Sequence, residues 1–174
     1  MKKIVIACVM GFFALAASAQ MNYRVQTACH PSDVKNYDTD RLRKEYHIEN
    51  IFAADEVNMT YTMHDRMIVG GAMPVNEPLP LEAIDPIKAD YFLSRREIGI
   101  FNVGGKGVID VDGTTYALDF KEALYLGRGN RNVTFRSIDA SSPARFYFCS
   151  ATAHTTYPDR KVTKADAEAA DAVI

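Results

Sequence analysis

The sequence predicts an all-β fold, a small barrel or sandwich, and three observations predict it. Apolar and polar residues alternate in four short runs, at residues 97–103, 108–111, 114–118 and 123–126. Turn chemistry separates the runs: Gly104, Gly105 and Gly107 split the first pair, and Asp112-Gly113 supplies the positive φ values that a two-residue hairpin needs. The polar corner at residues 119–122 and the turn Gly127-Arg128-Gly129-Asn130 bound the fourth run, so the spacing is regular and reads as a β-meander.

The remaining elements follow in chain order. Residues 1–19 combine Lys2 and Lys3 with an uncharged apolar run and end in Ala17-Ser18-Ala19, the layout of a cleaved secretory signal. The run falls short of the roughly 18 to 20 residues that span a bilayer, so no membrane partner is expected after cleavage. Export to the periplasm or beyond the cell is the expectation, with a cytoplasmic protein as the alternative if translation starts at Met21. Removing residues 1–19 from 174 leaves 155, enough for one domain with a core and short for two.

Thr39-Asp40 and the residues after them predict a short capped helix with Leu42 and Tyr46 on one face, covering one end of the barrel. Val57, Met59, Tyr61 and Met63 alternate with polar residues as a half-buried strand does. Met67, Ile68 and Val69 form the next strand, which Gly70-Gly71 is expected to end. Pro74, Pro78, Pro80 and Pro86 argue against regular structure over residues 73–88, which reads as a surface connection. Residues 133–138 and 146–149 are two further strands around a turn at residues 139–143. Thr163 caps an alanine-rich helix, so the barrel is assigned to residues 20–160, and residues 161–174 to a helical linker or domain boundary.

Composition excludes some chemistry. Without Lys2 and Lys3, 18 of the 20 basic residues face 22 acidic ones, a charge of about −4, and no basic run appears, so nucleic acid is not expected as a partner. His30, His47, His64 and His154 lack the spacing that puts two imidazoles on one metal from one element. Cys29 and Cys149 could pair in an oxidising compartment, but half-buried free thiols are the plainer reading. The polar clusters that border strands are His64-Asp65-Arg66 and Arg95-Arg96-Glu97. Their arginines could hold a substrate carboxylate through two parallel hydrogen bonds, or form ion pairs within or between subunits. Arg66, Arg95, Arg96 and Glu97 of these clusters, together with His154, are the candidate substrate or interface residues.

The run from Glu97 to the chain-turning Gly104 resembles the cupin superfamily, which makes the expected fold a cupin-like small β-barrel or jelly roll with one or two short flanking helices. A metal-binding cupin carries a His-x-His pair before that glutamate and a histidine in its second motif. Here Tyr91, Leu93 and Asn132 stand in those places, so a barrel without its own metal site is expected and a metal-dependent oxygenase is disfavoured.

A more specific resemblance is carried by Leu42-Arg43, Phe52-Ala53-Ala54-Asp55-Glu56, Asp65-Arg66-Met67-Ile68-Val69-Gly70-Gly71, Arg95-Arg96-Glu97, Val111-Asp112-Gly113, Ala123-Leu124-Tyr125 and Ala153-His154-Thr155-Thr156-Tyr157-Pro158. Together they resemble the 5-keto-4-deoxyuronate isomerase family of pectin and uronate catabolism. That resemblance implies two cupin barrels, the first without metal and the second holding zinc, of which this chain looks like the first. It implies an acidic sugar as substrate, a homo-oligomer, and a proton moved between neighbouring carbons beside a polarised carbonyl. No zinc ligand or catalytic residue carries over to this chain, so the isolated domain is expected to be silent and to build an interface or one wall of a site. The alternative is an exported stand-alone cupin that binds an acidic sugar or serves as a scaffold.

Overall fold

A computed structural model describes residues 20–170, and the signal expected at residues 1–19 lies outside them. Among the described residues there are eleven strands: β1 (Gln20–Gln26), β2 (Glu56–Thr62), β3 (Ile68–Ala72), β4 (Leu79–Pro80), β5 (Arg96–Asn102), β6 (Gly107–Val111), β7 (Thr114–Leu118), β8 (Ala123–Leu126), β9 (Val133–Ser137), β10 (Phe146–Thr152) and β11 (Arg160–Val162). They form a seven-stranded sheet, β1-β2-β3-β10-β5-β8-β11, and a four-stranded sheet, β4-β9-β6-β7. The orders β3-β10-β5-β8 and β4-β9-β6-β7 interleave as a jelly roll does, with the chain passing back and forth between sheets. The fold is thus an all-β jelly roll: the alternation predicted the small barrel or sandwich, and the resemblance carried by Glu97 and Gly104 implied its cupin-like form.

The four runs are strands, but they are not one meander. β5 pairs with β8 and β10, whereas β6 pairs with β7 and β9, so the chain changes sheet between β5 and β6. Gly104 and Gly105 make that corner because it packs against another loop. A Cβ on Gly105 would lie 1.9 Å from the Ser142 carbonyl oxygen, and one on Gly104 2.5 Å from the Arg145 amide. The hairpin between β6 and β7 is the predicted one, with Asp112 at φ 45° and Gly113 at φ 91°.

The core lies between the sheets. Ile98 and Ile100 on β5, Leu124 and Leu126 on β8, and Phe146 and Phe148 on β10 face Ile109 and Phe135 of the second sheet, all fully buried. The Phe135 ring lies 5.3 Å from Phe146 and 6.2 Å from Phe148, at distances where aromatic pairs attract beyond their area burial.

Three local readings need correction. Gly70 and Gly71 do not end a strand; they lie inside β3, where Cβ atoms would meet the Asn58 carbonyl at 2.5 Å and the Ile51 side chain at 2.3 Å. Glycine there permits close approach on both faces. The proline-rich segment is more than a surface connection, because Leu79 of β4 and the loop residues Leu81 and Ile84 are all buried. The predicted helix forms as α2 (Thr39–Tyr46), following the short α1 (Pro31–Val34), with Asp38 as its cap. Its face does not close the barrel: Leu42 and Tyr46 stay exposed, and the helix is tied to β1 by Gln26 donating to the Glu45 carbonyl.

The boundary drawn between residues 160 and 161 falls within β11, which pairs with β8. Lys161 bonds the buried Glu122 at 2.7 Å there, and α3 (Lys164–Ala169) follows behind a Thr163–Asp166 capping box. Cys29 and Cys149 are free, half-buried thiols. Among the described residues no helix is long and apolar enough to cross a membrane.

Candidate functional site

Strand ends build the site. β2 and β10 run towards one end of the larger sheet, β5 starts there, and the turn after β8 closes the rim around a pocket of about 430 Å³. Arg66, Arg95, Arg96 and His154 all line it, together with Tyr61 and Arg128. Four guanidinium groups converge, and no aspartate or glutamate is among the lining residues.

Each arginine is held differently. Arg66 sits in the β2–β3 turn at φ 54°, directly after Asp65 at φ 41°. Left-handed backbone at two successive non-glycine residues is unfavourable and persists only where neighbours hold it. Here Arg96 donates from Nη2 to the Arg66 carbonyl at 2.8 Å. Arg96 is only 4% exposed, and it also donates to Ser150 Oγ at 3.0 Å and to the Ser150 carbonyl at 2.7 Å. Burial pulls its pKa below the ordinary arginine value, but the group starts so far above neutrality that it stays charged.

Arg95 spends Nη2 on the carbonyls of Ile87 and Lys88, at 3.0 and 2.8 Å. Arg128 makes longer contacts to the carbonyls of Ala153 and His154, at 3.5 and 3.4 Å. Among the described residues the Arg66 guanidinium has neither an ion-pair nor a hydrogen-bond partner. The chemistry on offer is anion binding by forked donors beside an opening that the exposed His154 rims, with Tyr61 and Thr152 as hydroxyl groups.

Glu97 does not join them, which corrects the sequence grouping. Neighbouring strand residues point to opposite faces, so with Arg96 inward Glu97 faces outward. There it accepts from the Tyr125 hydroxyl at 2.8 Å, and burial together with that bond pushes the Tyr125 pKa up to about 12. Arg128 and Tyr61 were missed. Arg128 stands in a turn that sequence reads only as a strand stop, and Tyr61 ends a strand whose alternation marks it as core.

The family resemblance places zinc in a second barrel and none in this one, and the residues here do not fit that metal. Leu93 fills the core at full burial, and the Tyr91 ring lies under the Arg131 guanidinium at 4.7 Å. Asn132 donates its amide to Asp112 at 2.9 Å, while Glu97 is turned to the other face of the sheet. Two of the four places thus lack a donor atom suited to zinc, and a third points away.

Comparison with known proteins gives a match to the KduI/IolB family over residues 46–172, which include every residue that lines the pocket. The 4-deoxy-L-threo-5-hexosulose-uronate ketol-isomerase of Bacteroides fragilis strain YCH46 is 63% identical over 150 residues, covering 86% of this chain and 54% of the relative. The corresponding isomerase 1 of Bacteroides thetaiotaomicron is 62% identical over 150 residues, with the same coverage of 86% and 54%. The chain spans about half the length of these curated relatives. Among solved structures it is similar to the cupin domain of Schizosaccharomyces pombe Cnp3, with a TM-score of 0.42 and 12% identity over 68% of this chain and 72% of that one.

Proposed function

The chain belongs to the KduI/IolB family, and from that premise we propose that it is the metal-free half of a 4-deoxy-L-threo-5-hexosulose-uronate ketol-isomerase. Ketol isomerisation moves a proton between neighbouring carbons, so it needs a positioned base and a group that stabilises the enediolate. The observation that carries this reading is the pairing of Leu93, sealed in the core, with Glu97, turned outward and bound by Tyr125. A cupin that held a catalytic metal would need both positions to present donors to one point. This domain therefore supports chemistry completed elsewhere, as a subunit interface in a homo-oligomer or as one wall of the site, and no turnover is expected of it alone.

Zinc occupancy tests the reading. Chain dialysed against zinc should keep far less than one ion per molecule. One tightly held zinc per chain, lost in Glu97→Gln, would overturn it.

A second reading is an exported stand-alone cupin that binds an acidic sugar or acts as a scaffold. It is favoured by the arginine lining, which comes entirely from residues 66–128. Absence of any heat with uronates in calorimetry, together with a monomeric mass, would remove its support.

A further inference from the structure

We propose that the arginine pocket is a binding site for a small sugar acid, with Arg66 as the residue that grips its carboxylate. The first ground is charge. Arg96 is a buried cation whose hydrogen bonds all go to neutral oxygens, those of Ser150 and Arg66. A buried charge without a counter-charge is costly, and an anion brought beside it offsets that cost. Among the described residues no carboxylate lines the pocket, so a bound anion would supply the counter-charge.

The second ground is donor inventory. Arg95 and Arg128 already donate to backbone carbonyls, whereas among the described residues nothing bonds the Arg66 guanidinium, so its fork of N–H groups is open. Two parallel N–H groups match the two oxygens of a carboxylate. The Arg66 backbone is fixed by the bond from Arg96, so the gripping residue is anchored before a ligand arrives.

The third ground is shape. A volume of about 430 Å³ lies in the range of roughly 300–1,000 Å³ typical of small-molecule sites. Pro86, Ile87 and Ala89 form an apolar wall for the face of a sugar ring, with the Tyr61 hydroxyl for its oxygens. That the acid is a uronate rests on the proposed family function; that the ligand is a carboxylate does not.

Titration calorimetry on the full chain tests this with D-galacturonate, D-galactose and inorganic phosphate, in wild type, Arg66→Gln and Glu97→Gln. Galacturonate should bind at least tenfold more tightly than galactose. Arg66→Gln, a change on an exposed turn, should weaken galacturonate at least tenfold with the thermal midpoint unchanged, and Glu97→Gln should leave it as in wild type. Equal binding of galactose, galacturonate binding untouched by Arg66→Gln, binding of phosphate without galacturonate, or no heat from any ligand would each overturn the proposal. Turnover is a separate readout: binding without turnover supports this site and the metal-free reading together. Turnover that Arg66→Gln leaves unchanged, with galacturonate unbound, sinks this site, and the turnover itself counts against the metal-free reading.

Discussion

Arg96 and Ser150 are bonded twice across β5 and β10: the guanidinium donates to the Ser150 hydroxyl at 3.0 Å and to its carbonyl at 2.7 Å. The hydroxyl in turn donates a hydrogen bond to the Glu97 carbonyl at 2.7 Å, so one buried side chain fixes two strands and, through the Arg66 carbonyl, a turn. Arg96→Met should remove about 2–4 kcal/mol of stability, since it strands buried acceptors that a charged donor now satisfies. Ser150→Ala should cost about 1 kcal/mol. Urea unfolding of both variants measures this; a neutral Arg96→Met would show that the guanidinium is not structural.

Gly70 makes a second point of strain avoidance. Gly70→Ala puts a methyl group 2.5 Å from the Asn58 carbonyl and 2.6 Å from the Phe148 ring, both within well-packed surroundings. Overpacking of this kind should cost about 1–3 kcal/mol, read as a lowered urea midpoint with unchanged slope.

These two sites show where the sequence was legible. Asp112-Gly113 announced its hairpin because the required positive φ values are a local property. Gly70-Gly71 misled because its glycines answer to Asn58, Ile51 and Phe148, contacts that no local rule encodes. The change of sheet at Gly104 and Gly105 was hidden for the same reason, since their partners lie some forty residues on, at Ser142 and Arg145. In the pocket, Arg66, Arg95 and Arg96 were foreseeable as polar residues at strand borders, and His154 as part of the stretch that carries the family resemblance. Glu97 was separable from Arg96 by strand parity alone, whereas Arg128 needed the fold to bring its turn beside β10.

Acid sensitivity should trace in part to Asp55. Burial acts to raise its pKa, but amide donors from Asn76 and Val75, at 2.7 and 2.8 Å, outweigh it and hold the carboxyl below its ordinary value. A depressed folded pKa gives stability that is present above the unfolded value, ~3.9, and lost as pH falls through the folded one. Asp55→Asn should flatten the decline in unfolding free energy below about pH 4. An unchanged acid limb would assign that decline to other carboxylates.

Tyrosine ionisation offers an independent check on the outer face of the larger sheet. Tyr125 is pushed up to about 12 by burial and then by Glu97, and Tyr147 to about 12 by its bond to Cys149 and then by burial. For each raised group the stability it brings is whole below the unfolded value, ~10, and lost as pH rises through the folded one. In a spectrophotometric titration Glu97→Gln should move one tyrosine down towards ~10 and leave the Tyr147 step in place. No movement would mean that the Glu97–Tyr125 bond does not form in solution.

Catalysis by the chain itself is the most direct test of the central claim, that the chemistry needs donors this domain lacks. Turnover of 4-deoxy-L-threo-5-hexosulose-uronate would be followed with added zinc and again with chelator, beside a full-length Bacteroides fragilis relative at equal chain concentration. The account predicts conversion by the relative and none above background by this chain under either condition. Zinc-stimulated, chelator-sensitive turnover by this chain would contradict it and place a working metal site within these residues.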